Sequence, residues 1–208
     1  MIISVAMDAD IEAARPWVEE ANPDFVTLID QQHLLSSLYN MVNVPQAVWI
    51  NEDGIIVRPT ETGGSLDILR EFDFETFSFK PEAAARAQIS KSLYQKAVKD
   101  WAEKGADSQF VYTADDARAR TPAMTADIAE AHAWFSLGQR LKQQGDGAGA
   151  DHAFKRSREL HPDSWNIFRE TSEKLDNGIA GGQEYWEKIN AMGDKAYYEP
   201  IDMPDMPS

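Results

Sequence analysis

A serine-histidine-aspartate set can be written from Ser36, His33 and Asp30 in "DQQHLLSS". In that chemistry His33 would take the hydroxyl proton and Asp30 would orient the ring. Ser36, however, lies one helical turn from His33 and lacks the strained strand-to-helix elbow that presents a hydrolase nucleophile. Asp30 and His33 therefore stand only as weak base candidates. The plain alternative for Asp30, and for Asp8 and Asp10 in "DADIE", is to cap free amides at helix starts. His33, His132, His152 and His161 form no His-x3-His or Glu-x-x-His pattern, so neither a metal site nor a cofactor is expected. With no cysteine, the chain has no thiolate nucleophile, disulfide or thiolate metal ligand. The sequence leans away from an enzyme and excludes thiol redox activity of its own.

Bulk composition narrows the partners. The 208 residues carry 35 acidic against 20 basic side chains, a formal charge of −15. Such a surface repels phosphate polyanions, so no nucleic-acid partner is expected. No apolar run approaches the roughly 18 residues of a membrane-spanning helix, and "MIISVAMDAD" lacks the basic flank and long apolar region of a signal peptide. The expectation is a chain without membrane association that is cytoplasmic as written. Most of the six tryptophans and nine phenylalanines, at helical or strand spacing, read as core and not as a ligand slot.

The elements that position these residues begin as α/β. "IISVAMD" and "DFVTLID" read as short buried strands, and "ADIEAARPWVEEA" and "QHLLSSLYNMV" as helices. Pro16 suits the first helix best if the helix proper begins just before it. The second helix would bury Leu34, Leu35, Leu38 and Met41. "QAVWI" and "GIIVRP" flank an Asn51-Gly54 turn and read as a hairpin. "SLDILREF" reads as a short helix and "DFETFSF" as extended. From Pro81 the pattern is helical over 81–104, 114–120, 123–144, 147–160, 163–176 and 183–195. A boundary is expected near residue 80, giving an α/β part (1–80), an all-α part (81–197) and a mobile, acidic, proline-rich tail (198–208).

The stretches "ISVAMD", "FVTLID", "LYNMVNVPQAVWINEDGIIV" and Gly63-Gly64 resemble the TlpA/ResA-like branch of the thioredoxin superfamily, related to the peroxiredoxins, over about residues 2–70. The resemblance implies a cis Pro45 in an exposed loop, where Val44, Pro45 and Gln46 offer free backbone to an extended peptide. Family members carry their Cys-x-x-Cys on a strand and helix ahead of the strand matched by "ISVAMD". That unit is missing here, so redox function passes to no residue. In the family sheet the missing strand separates those matched by 2–7 and 46–50. Its loss leaves backbone groups that cost of order 1–3 kcal/mol each if buried unpaired. Either the two strands close on each other or a second copy fills the space, and the expectation is a homodimer formed through the α/β part.

Residues 131–164 resemble one tetratricopeptide repeat, with Trp134, Leu137, Gly138, Leu141, Gly145, Ala150, Phe154 and Pro162 at signature positions. Ser157 replaces a preferred alanine, and Thr171-Ser172 replaces the Leu-Gly pair of the next unit. One repeat cannot bury its own face, so flanking helices must cap it. The fold class expected is a truncated thioredoxin-like α/β sheet followed by an all-α, tetratricopeptide-like domain. The function expected is non-catalytic protein or peptide association. Two alternatives stand beside it: a fragment of a larger thiol-disulfide oxidoreductase with its Cys-x-x-Cys upstream, and a hydrolase or lyase on the borrowed scaffold.

Overall fold

The computed structural model describes residues 1–176 and 178–207. It is mixed α/β, with eight α-helices and three two-stranded sheets among the described residues. The chain falls into two compact units, each made of two stretches: Met1–Val42 with Ala123–Trp186, and Asn43–Pro122 with Glu187–Ser208. The boundary expected near residue 80 lies inside the second unit, because the strands before it and the helix after it share one core.

In the first unit, β1 (Ile3–Ala6) pairs in parallel with β2 (Val26–Ile29), Ile3 opposite Val26 and Val5 opposite Leu28. Between them α1 (Ile11–Ala21) starts at the Asp10 cap, whose carboxylate accepts the Glu12 N–H, and ends at Asn22 in the left-handed region. Pro16 sits inside this helix, not at its start, so one backbone bond is forfeited there. The following α2 (Leu34–Leu38) is only five residues long. It buries Ser36 and leaves Leu34 and Leu38 exposed, the reverse of the expected apolar face.

A helical hairpin completes this unit. α5 (Ala126–Gln143) and α6 (Gly147–Leu160) are capped by Thr125 and Asp146, whose side chains accept the Ile128 and Gly149 amides. Phe135, Ala150, Phe154 and Ile167 form the core, the last from α7 (Trp165–Thr171). The α7 N-terminus also holds the earlier segment: the Trp165 and Asn166 amides donate to the Val42 carbonyl, and Asn166 Nδ2 donates to Met41. α7 stops well short of residue 176. The Thr171 and Ser172 hydroxyls turn back onto the Ile167 and Phe168 carbonyls, the local competition that weakens helices.

In the second unit β3 (Gln46–Ile50) and β4 (Ile56–Thr62) pair antiparallel around a turn in which Asn51 Oδ1 accepts the Asp53 and Ile55 amides. "SLDILREF" yields only a 3-10 turn at Leu69–Glu71, followed by the small hairpin β5 (Phe72–Asp73) and β6 (Ser78–Phe79). α3 (Pro81–Lys104), with proline at its first turn, packs Tyr94 and Ala97 against Trp49. Trp49 stacks on Trp101 at 4.9 Å and donates its indole N–H to the Tyr94 hydroxyl at 2.8 Å. Behind this core lies Arg58, 1% exposed, with a two-pronged bond to Glu61 (2.8 and 2.7 Å) and a third to the Phe110 carbonyl (2.7 Å). α4 (Ala114–Arg120) follows in this unit, and α8 (Gln183–Ala191) runs across the division between the units. The tail expected to be mobile is packed: Ile201 and Met203 are 9% and 8% exposed and belong to the Trp49 core.

Candidate functional site

The serine-histidine-aspartate set does not assemble. Asp30 accepts the Leu35 amide at 2.6 Å, which is a capping role. The Ser36 hydroxyl donates to the carbonyl of His33, not to its ring. His33 itself adopts the left-handed region (φ 55°) and is 5% exposed, its ring 5.1 Å from that of Phe135. Among the described residues neither ring nitrogen has a hydrogen-bond partner, and Nε2 lies 4.0 Å from a Glu170 carboxylate oxygen. Burial pushes the His33 imidazole below its ordinary value, although the Asp30 and Asp8 charges pull the other way. Burial likewise pushes Glu170 up. Both shifts favour the neutral forms, and at 4.0 Å the two groups pack without a hydrogen bond between them.

Glu170 was not among the residues singled out by spacing, because it arrives from α7, far along the chain. His132 is also buried enough to be held down to about 4, with the neighbouring His161 and His33 rings adding to the effect of burial. The His132 and His161 rings lie 6.0 Å apart, and His152 lies 6.0 Å from Trp134. Among the described residues no group of three or more histidines and carboxylates is arranged to hold a metal.

The loop at Val44, Pro45 and Gln46 has the cis Val44–Pro45 bond that the resemblance implies, and Val44 and Pro45 are exposed. Its backbone is not free. The Gln46 side chain accepts the Asn43 amide at 3.0 Å, and Asn43 Oδ1 accepts the Val44 amide at 2.9 Å. The Pro45 carbonyl takes the Gly63 amide at 3.3 Å, and the Val44 carbonyl takes the Tyr198 hydroxyl at 2.7 Å. The open peptide-binding edge expected here is filled by the chain itself.

The residues of the helical hairpin pack in antiparallel order. Ser157 donates across to the Ala131 carbonyl at 2.8 Å, while Gly138 faces Phe154. A Cβ at Gly138 would stand 2.5 Å from the Phe154 ring, so only glycine permits this approach. Leu141 packs on the same core, and Gly145 makes the turn at φ 83°. Trp134 is half-buried, Leu137 is 43% exposed and Pro162 is exposed, so these three signature positions do not join that core.

The apolar surface of the first unit is its other notable feature. Ile3, Val26 and Leu28 on one face of the β1–β2 pair are 50%, 45% and 52% exposed. On the opposite face an open groove of about 690 Å³ runs under α1, lined by Ala6, Ala14, Trp17, Val18, Phe25 and Ile179. Among the described residues β1 pairs with β2 and β3 pairs with β4, each in a two-stranded sheet. Comparison with protein-family models, curated proteins and solved structures finds no match to this chain.

Proposed function

We propose that the chain is a non-catalytic scaffold for protein association, built on a thioredoxin-like arrangement with a tetratricopeptide-like hairpin. The observation that carries this reading is the β1–β2 pair, two parallel strands with apolar side chains open to solvent and no further strand on either edge among the described residues. Parallel strands are ordinarily covered on both faces, and a sheet of two strands is marginal by itself. An exposed apolar edge of this kind is a template for another chain. The occupant proposed is a second copy, since two-fold self-pairing is the commonest arrangement for soluble oligomers. The close Gly138–Phe154 approach supports the repeat-like part of the reading. The Asp30 and Ser36 bonds to backbone, with His33 sealed in, speak against a hydrolase or lyase.

Light scattering at tens of micromolar should give a dimer, twice the chain's 23.3 kDa. Leu28→Asp places a charge on the open face and should return the chain to a monomer while leaving its circular dichroism intact. A wild-type monomer at that concentration would overturn the reading.

A further inference from the structure

Residues 196–206 run through the second unit without strand or α-helix, yet Tyr197, Ile201 and Met203 are buried. The segment is gripped as a bound peptide is gripped, by side chains that reach its backbone. Asn43 Nδ2 donates to the Tyr197 carbonyl at 2.9 Å, and the Asp67 carboxylate accepts the Tyr197 amide at 2.8 Å. Arg58 and Tyr112 both donate to the Asp202 carbonyl, at 3.1 and 3.2 Å. The segment answers with its own side chains. Tyr198 donates to the Val44 carbonyl of the cis-proline loop, and Asp202 pairs with Arg120 at 2.8 Å. Ile201 and Met203 insert beside Trp49, Tyr94 and Ala97. Pro200 and Pro204 lack amide hydrogens, which suits side-chain recognition better than strand addition.

We propose that residues 196–206 are an intramolecular ligand, seated in a peptide-binding groove that runs from the cis-proline loop to Arg120. The competitor this groove fits is an extended acidic peptide with the same anchors: a tyrosine that reaches the Val44 carbonyl, then isoleucine and methionine flanking an aspartate. Being tethered, the segment competes at high effective concentration, on the order of millimolar for a short link. The resting chain therefore masks the groove, and external peptide enters when the segment lifts. This surface is separate from self-association through β1 and β2, and either can fail without the other.

The test is fluorescence anisotropy of a labelled peptide with the sequence of residues 196–206, titrated with the full chain. Wild type, Tyr198→Phe and Ile201→Ala are compared, each checked for native circular dichroism. Ile201→Ala loosens the built-in segment without touching the groove and should bind the peptide roughly tenfold tighter than wild type. Tyr198→Phe should gain several-fold, and adding Arg120→Ala to Ile201→Ala should remove most of the gain. Folded variants that bind no better than wild type overturn the proposal, as does equal binding of a scrambled peptide. Loss of native structure in both variants also overturns it, because the segment would then be an inseparable part of the core.

Discussion

His132 carries the clearest consequence at the scale of single residues. Its imidazole is held down to about 4 by burial first and by the His161 and His33 rings second. In the unfolded chain it takes a proton near its ordinary 6.5. The stability it contributes is therefore complete above pH 6.5 and is lost as the pH falls toward 4. At 1.36 kcal/mol per pKa unit, discounted for the solvent-exposed part of the ring, the loss is about 2 kcal/mol. His33, also pushed down by burial, acts in the same direction, whereas Glu170, pushed up, acts oppositely as the pH passes its raised value. Urea midpoints at pH 7 and 4.5 should converge more in His132→Phe than in wild type, and an unchanged difference would show that His132 does not titrate on unfolding. Sequence exposes this scale unevenly. The Asp30 and Asp10 caps were legible because a cap is a local contact. The burial of His33 was not, since Phe135 and Glu170 approach it from helices far along the chain.

At the scale of elements, the α5–α6 hairpin was the most legible part, because its spacing and its Gly138–Phe154 contact are both fixed within one short stretch. Gly138→Leu should cost about 1–3 kcal/mol by overpacking, lowering Tm by several degrees. Combining it with Phe154→Ala should be less damaging than the sum of the two changes, as contacting residues couple. Strict additivity would mean that the two side chains do not meet. Short elements read worse. The apolar spacing of "HLLSSL" promised a buried leucine face, but the chain turns at His33 and presents Ser36 inward. The terminal segment read as mobile from its prolines and acids, yet Ile201 and Met203 are covered by Trp49 and Tyr94. Composition records how a segment is built and does not record the cavity that receives it.

At the scale of the whole molecule, the mixed α/β class was legible from the alternation of strand and helix patterns, whereas the grouping of elements was not. A break at residue 80 follows from a change of pattern along the chain, but Trp49 and Tyr94 lie on opposite sides of that break and share a hydrogen bond. The first unit draws on 1–42 and 123–186, and the second on 43–122 and 187–208. This interleaving governs how the chain is born. A ribosome adds about 5–20 residues per second, so β1 and β2 emerge well before α5, α6 and α7, the helices that complete their unit. The first unit cannot close on a nascent chain until its second stretch has emerged, and Ile3, Val26 and Leu28 stay available to chaperones until then. Ribosome-bound chains arrested after Pro122 should be digested within residues 1–42 by protease, while in those carrying all 208 residues on a long linker the same stretch should resist. Protection of residues 1–42 in the shorter chain would show that the first unit closes without its second stretch.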